Sequence, residues 1–182
     1  MKKSLNRRVK KTRSEIGWRE MVALPDLGIA ALRAKIDTGA RTSALHAVDL
    51  AIYEQDGARW VDFHIPLPGM PKSRRCAALI LDDRLIKNTS GIAEHRYVVE
   101  TTLVLGHRHW RIEVSLADRE NMEFDLILGR TAIRGRRLLV NPGNSFLVGP
   151  PAALAVPIHP AKEDGLKRTL MRGLDLAFHD FQ

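Results

Sequence analysis

The sequence predicts a mainly β domain followed by a C-terminal amphipathic helix, and three patterns carry the prediction. Short apolar or alternating stretches recur between residues 18 and 148; clusters of Gly, Pro, Asn and Asp punctuate them; and an apolar stripe at helical spacing begins beyond residue 162.

Residues 18–24 and 30–36 are apolar or alternating and flank Pro25-Asp26-Leu27-Gly28, a turn composition, so they are expected to pair. Residues 48–53 and 60–65 form the next expected pair, joined at Gln55-Asp56-Gly57. Pro66, Pro68, Gly69 and Pro71 then forbid regular structure. Residues 96–105 and 109–116 are rich in β-branched side chains around Gly106-His107-Arg108, which argues a hairpin. An apolar strand over 124–128 follows. Residues 137–140 and 146–148 bracket the turn signal Asn141-Pro142-Gly143-Asn144 and are expected to pair in turn. The expected organisation is a basic flexible tail over 1–15, a domain over 16–149, and a Pro/Ala-rich extended linker over 150–162. A helix over 163–182 closes the chain, its face marked by Leu166, Leu170, Leu174 and Phe178.

A chain of 182 residues, 45% hydrophobic and 27% charged, fits one globular domain with tails. The longest apolar runs, such as residues 77–81, are far short of the ~20 residues a membrane span needs. No secretory leader pattern precedes the domain, so the expected location is the cytoplasm, with no membrane partner. The single cysteine, Cys76, excludes an intrachain disulfide and reads as a small half-buried filler. The net charge of +8 is mostly a matter of distribution. Seven of the 29 Lys and Arg residues fall in residues 1–13, which leaves 22 against 21 acids. That tail reads either as a solvated terminus or as a contact for a polyanion such as ribosomal RNA.

The motif that carries chemistry is Asp37-Thr38-Gly39-Ala40, at the end of an apolar strand. Gly39 suits a tight turn and leaves its amide free to reach the carboxylate. The tripeptide alone is a weak signal. It gains specificity from Phe124-Asp125-Leu126-Ile127-Leu128-Gly129-Arg130 downstream, an apolar strand ending in Ile-Leu-Gly. There is no Gly-x-x-x-x-Gly-Lys-Ser/Thr loop for a nucleotide.

Together these residues resemble the retropepsin-like aspartic peptidases, over about residues 24–149. Residues 34–47 with Leu128-Gly129-Arg130 are similar, more narrowly, to the bacterial group labelled ATP-dependent zinc protease and linked to RimK-type ATP-grasp glutamate ligases. The resemblance implies a closed acid-protease β-barrel with a ψ-shaped core. It implies catalytic roles for Asp37, Thr38 and Gly39, with Thr38 bonding across two catalytic loops. A flap over residues 86–95 is implied to close over substrate, with Ala40, Arg41, Ser90, Gly91 and Arg130 contacting it. In viral retropepsins an acid after the loop pairs with the Arg that follows Ile-Leu-Gly; here Arg41 stands there, so Arg130 needs another partner.

One aspartate per chain sets the expected mechanism. Two close carboxylates share a proton, one activating water as base while the other donates to the developing oxyanion. Only Asp37 sits in such a loop, so the second carboxylate is expected from a second copy across a two-fold axis, in a homodimer. Asp82, Asp83 and Asp125 read as surface acids. Arg41, Arg130 and Arg134 line up near the loop in sequence, and either steer an acidic peptide or brace a dimer interface. The resemblance favours an acidic substrate: glutamate residues added to a ribosomal protein. It also implies association with the ligase. No cofactor is expected. Zinc is the rival, resting on seven histidines, of which His107 and His109 stand at i and i+2 and His46 follows the loop; no His-Glu-x-x-His helix is present. A non-catalytic ribosome- or RNA-binding adaptor is the rival from another class.

Overall fold

The computed structural model describes residues 13–71, 73–87, 91, 93–120 and 122–153. The basic residues 1–12, the linker beyond residue 153 and the expected helix over 163–182 lie outside the described residues.

Alternation places one face of each long strand inward, as the pleat requires. In β3 (Ile29–Ile36), Ile29, Leu32, Ala34 and Ile36 are buried while Arg33 and Lys35 face solvent. In β9 (Arg108–Ala117), Trp110, Ile112 and Val114 are buried between exposed Arg111 and Glu113. These faces line one core, together with the inward residues of β2 (Arg19–Leu24) and β8 (Ala93–Leu105).

The core is enclosed because the sheet closes on itself. Strands run in the order β2-β3-β10-β4-β9-β8, with β4 (Ser43–His46) and β10 (Leu126–Leu128) in the middle, and β2 also pairs with β8 through Val22 opposite Leu105. That makes a six-stranded barrel with no open edge in the ring. Outside the ring, β7 (Cys76–Lys87) changes partner along its length: its first residues pair with β6 (Ala58–His64) and the rest with β8. β5 (Val48–Gln55) completes this arm, joined to β6 by Asp56 and Gly57, both at positive φ.

Three sequence expectations need correction. Ser14 and Glu15, assigned to the tail, open β1 (Ser14–Gly17), which pairs in parallel with β11 (Leu138–Asn141). Residues 146–148 do not pair with β11, although the turn at Asn141 forms, with the Gly143 N–H donating to Asn141 Oδ1 at 2.9 Å. Other partners have taken that backbone: Trp18 N–H donates to Asn144 O, Phe146 N–H to Arg19 O, and Leu147 N–H to the carboxylate of Glu20. Glu20 is fully buried and also accepts from the Gly17 N–H, so one acid satisfies two amides at the junction of β1 and β2. Finally, Cys76 is buried rather than half-buried, with its Sγ 3.4 Å from Leu27 O. Burial pushes its thiol pKa up, which keeps it protonated and inert.

No helix among the described residues is long and apolar enough to cross a membrane. The one α-helix among them, α1 (Arg130–Ile133), packs under Trp110, whose indole N–H donates to Ala132 O at 2.8 Å.

Candidate active site

The loop carrying Asp37 joins β3 to β4, yet these two strands do not pair with each other. β10 lies between them, parallel to β3 and antiparallel to β4. This insertion is the ψ shape, and it delivers the residues that follow β10 directly against the loop. The Asp37 N–H donates to Leu128 O at 2.9 Å, the Arg130 N–H to Ala40 O at 3.0 Å, and the Thr131 N–H to Arg41 O at 3.1 Å. Gly129 makes the contact possible: a Cβ there would stand 2.5 Å from the Thr42 carbonyl group. Its N–H donates to Ser43 Oγ at 3.2 Å, and Ser115 Oγ donates to Ser43 O at 3.0 Å, so two buried hydroxyls lock the start of β4.

Within the loop, the Gly39 and Ala40 N–H groups both donate to Asp37 Oδ1 at 3.0 Å. One carboxylate oxygen is thereby fixed in place. Oδ2 has no hydrogen-bond partner among the described residues, and the side chain is only half-buried. This is the arrangement a water-activating carboxylate needs: an oriented group with one oxygen available. Thr38 and Gly39 are exposed.

Arg130 finds its partners in the loop itself. One guanidinium nitrogen donates to both Thr38 O, at 2.9 Å, and Gly39 O, at 2.8 Å, bracing the Asp37 turn. Arg41 is exposed and is tied to α1 through its carbonyl. Arg134 lines a cavity of about 660 Å³ together with Arg13, Arg130, Arg137 and the loop residue Thr38. Gly91, exposed and at φ +77°, lies at the tip of the β7–β8 hairpin; Ser90 lies outside the described residues. Asp82 pairs with Arg84 and Asp83 with His95, and none of these bonds to Asp37.

His46 turns out to organise a second loop. It is buried, and its Nδ1 accepts the Arg119 N–H at 2.9 Å, which fixes the proton on Nε2 in the neutral ring. The His46 N–H in turn donates to Asp125 O at 2.6 Å, so both ends of the 118–125 segment are tied to β4. Arg119 itself is not legible in the sequence, where its neighbours are Asp118 and Glu120. It is half-buried, and its Nε donates to Phe124 O at 3.1 Å. Burial and the charge of Arg96 lower its pKa, while the carboxylates of Asp125 and Asp37 act the other way. Among the described residues, no cluster of three or more His, Cys, Asp or Glu side chains is placed to hold a metal ion.

Comparison with known proteins agrees with this geometry. Residues 15–151 match the model of a family described as RimB-like, retropepsin-like aspartic endopeptidase RimB. Two curated relatives are each named probable alpha-L-glutamate ligase. The one from Shewanella pealeana is 37% identical over 162 residues, which is 86% of this chain and 35% of that protein. The one from Desulfotalea psychrophila is 38% identical over 136 residues, 74% of this chain and 29% of that protein. The chain therefore spans about a third of the length of these relatives. Among solved structures, a Legionella pneumophila protein of unknown function superposes with a TM-score of 0.63 at 28% identity, covering 74% of this chain and 98% of that one. A barrel closed around a ψ-shaped core, an Asp-Thr-Gly-Ala loop held by the backbone after Ile-Leu-Gly, and a family match across the whole described domain lead to one statement: the chain belongs to the RimB-like family of retropepsin-like aspartic endopeptidases.

Proposed function

We propose that the protein is a peptide hydrolase that works as a homodimer, Asp37 of each copy forming half of a water-activating pair. The observation that carries the reading is the state of Asp37: Oδ1 held by two loop amides, Oδ2 without a partner among the described residues, in an exposed turn. A carboxylate so oriented lacks only the second group with which to share a proton, and a two-fold axis beside Thr38 supplies it. Thr38 bonds across the two loops in this assembly. The β7–β8 hairpin, with Gly91 at its tip, closes over the bound peptide and excludes water.

The substrate class follows from charge and from the relatives. Arg41 and Arg119 place cations near the catalytic loop, and a cationic site attracts acidic peptides. In the curated relatives the matching region forms part of proteins named as glutamate ligases, so the same chain unites a ligase name with a peptidase fold. A peptidase associated with such a ligase has a natural task in trimming the glutamate residues the ligase adds, including those on a ribosomal protein.

The test compares wild type with Asp37→Asn on a peptide ending in several glutamates, with a chelator added in parallel. Wild type is expected to shorten the peptide whether or not the chelator is present. The variant is expected to lose at least about a hundredfold in rate. Full activity in the variant, or loss in wild type caused by the chelator, overturns the aspartic mechanism.

A further inference from the structure

Arg119 is an unusual cation for its surroundings. A half-buried guanidinium is ordinarily matched by a carboxylate, because its charge is costly to desolvate alone. Asp125 and Asp37 are near enough to act on its charge, but neither forms an ion pair or hydrogen bond with it among the described residues. Its Nε is committed to Phe124 O, which leaves both terminal nitrogens without an acceptor among the same residues. The neighbouring Arg96 does have a counter-ion, Glu94, at 2.8 Å, although its own side chain is only 13% exposed.

The position of Arg119 is also fixed more firmly than a surface cation requires. His46 accepts its backbone N–H, and Phe124, which accepts from its side chain, is buried and stacks edge-on against Trp18 with ring centroids 5.9 Å apart. Two anchors at this residue hold the fork of the guanidinium in one place. The loop it belongs to leads into β10, the strand whose end holds the Asp37 loop. β4 runs from the Asp37 loop to His46, which anchors the second loop, and it is four residues long, so its two ends stand about 10 Å apart by strand rise. Adjacent side chains diverge here: Asp118 lines a separate cavity of about 340 Å³ with His95 and Arg96, and Arg119 does not.

We infer that Arg119 is a specificity-determining residue, its terminal nitrogens receiving the side-chain carboxylate of an acidic residue next to the bond that Asp37 cleaves. This rests on the peptidase reading above and adds to it the residue that reads the substrate. A planar fork is suited to a carboxylate, which it binds through two parallel hydrogen bonds. Glutamine at the same substrate position offers one acceptor and no charge, so discrimination between Glu and Gln is the direct readout. His46 is a positioning residue for the same site, acting through the Arg119 backbone.

Two measurements keep the inference separate from the peptidase reading. The first is binding of a tetraglutamate peptide to the intact Asp37→Asn protein, with and without Arg119→Gln, by titration. Arg119→Gln is expected to weaken binding about ten- to a hundredfold. The second is the ratio of kcat/KM for matched peptides carrying Glu or Gln beside the cleaved bond. Arg119→Gln is expected to bring that ratio close to one and Arg119→Lys to keep part of it. A merely structural role for Arg119 would slow both peptides equally and leave the ratio intact, which overturns the inference. So would unaltered tetraglutamate affinity in Arg119→Gln. If tetraglutamate binds in an Arg119-dependent way but wild type hydrolyses neither peptide, the peptidase reading fails while the carboxylate site stands.

Discussion

The Asp37 loop and the β7–β8 hairpin, the two segments that the proposed mechanism brings to a peptide, are fixed in opposite ways. The loop is held by backbone: donors from residues 37, 130 and 131 cross between it and the chain after β10, and Gly129 brings the two chains closer than any side chain permits. The hairpin is held by strand pairing and by surface charge. Leu81 and Leu85 are exposed on it, and Arg84 ties it to the barrel by reaching Glu113 on β9 at 3.0 Å. Surface ion pairs contribute little and break readily. The difference suits the proposed mechanism, in which the carboxylate stays fixed and the hairpin closes.

The sharpest way to break this contrast is to disturb the close approach of chains. In Gly129→Ala the new Cβ meets the Thr42 carbonyl carbon and oxygen at 2.5 Å and its nitrogen at 2.9 Å, all backbone atoms with no freedom to rotate away. We expect a loss of about 3 kcal/mol or more in unfolding free energy, read by urea denaturation, together with loss of peptide hydrolysis. A variant with wild-type stability and turnover would show that the loop does not depend on this contact.

The same contrast explains what is legible in the sequence. β2 with β3, β5 with β6, and β8 with β9 are visible there because alternation and turn residues are local signals. Asp37 is visible because the catalytic turn and the Ile127-Leu128-Gly129 strand each leave a pattern of residue types. Four-residue β4, buried throughout and composed of Ser43, Ala44, Leu45 and His46, has no alternation to detect. The parallel β1–β11 pair joins segments more than 120 residues apart, and the turn at residues 141–144 points instead to a local hairpin. Arg119 is hidden for a related reason: its burial without an ion pair among the described residues is a property of three-dimensional neighbours, whereas its sequence neighbours are Asp118 and Glu120.

A glycine in the arm supplies the milder counterpart of Gly129. Gly57 sits at φ +73° with nothing within 4 Å of an added methyl, so only backbone strain opposes a substitution there. Gly57→Ala is expected to cost about 1 kcal/mol, or about 3 °C in Tm for a chain of this length, with hydrolysis unchanged. A collapse of activity in this variant would mean that the arm is coupled to Asp37 as tightly as the loop is.

The smallest effect tests the charge pairing along β7 itself, at the side chain that reaches β9. The side-chain hydrogen bond from Arg84, and then the Asp83 N–H, hold the Asp82 carboxyl below its ordinary pKa of 3.8. A carboxyl depressed by folding contributes stability that is present above the unfolded pKa and disappears as pH falls through the folded one. The contribution of Asp82 therefore persists through neutral pH and is lost only in acid below the ordinary carboxylate range. Titration of the Asp82 carboxyl carbon by NMR is expected to give a midpoint below 3.8 in wild type and an upward shift in Arg84→Gln. An unshifted midpoint in that variant would mean that Arg84 does not hold Asp82. The tie from hairpin to barrel does not pass through Asp82, which lies on β7 beside Arg84; it rests on the Arg84–Glu113 pair and on strand pairing.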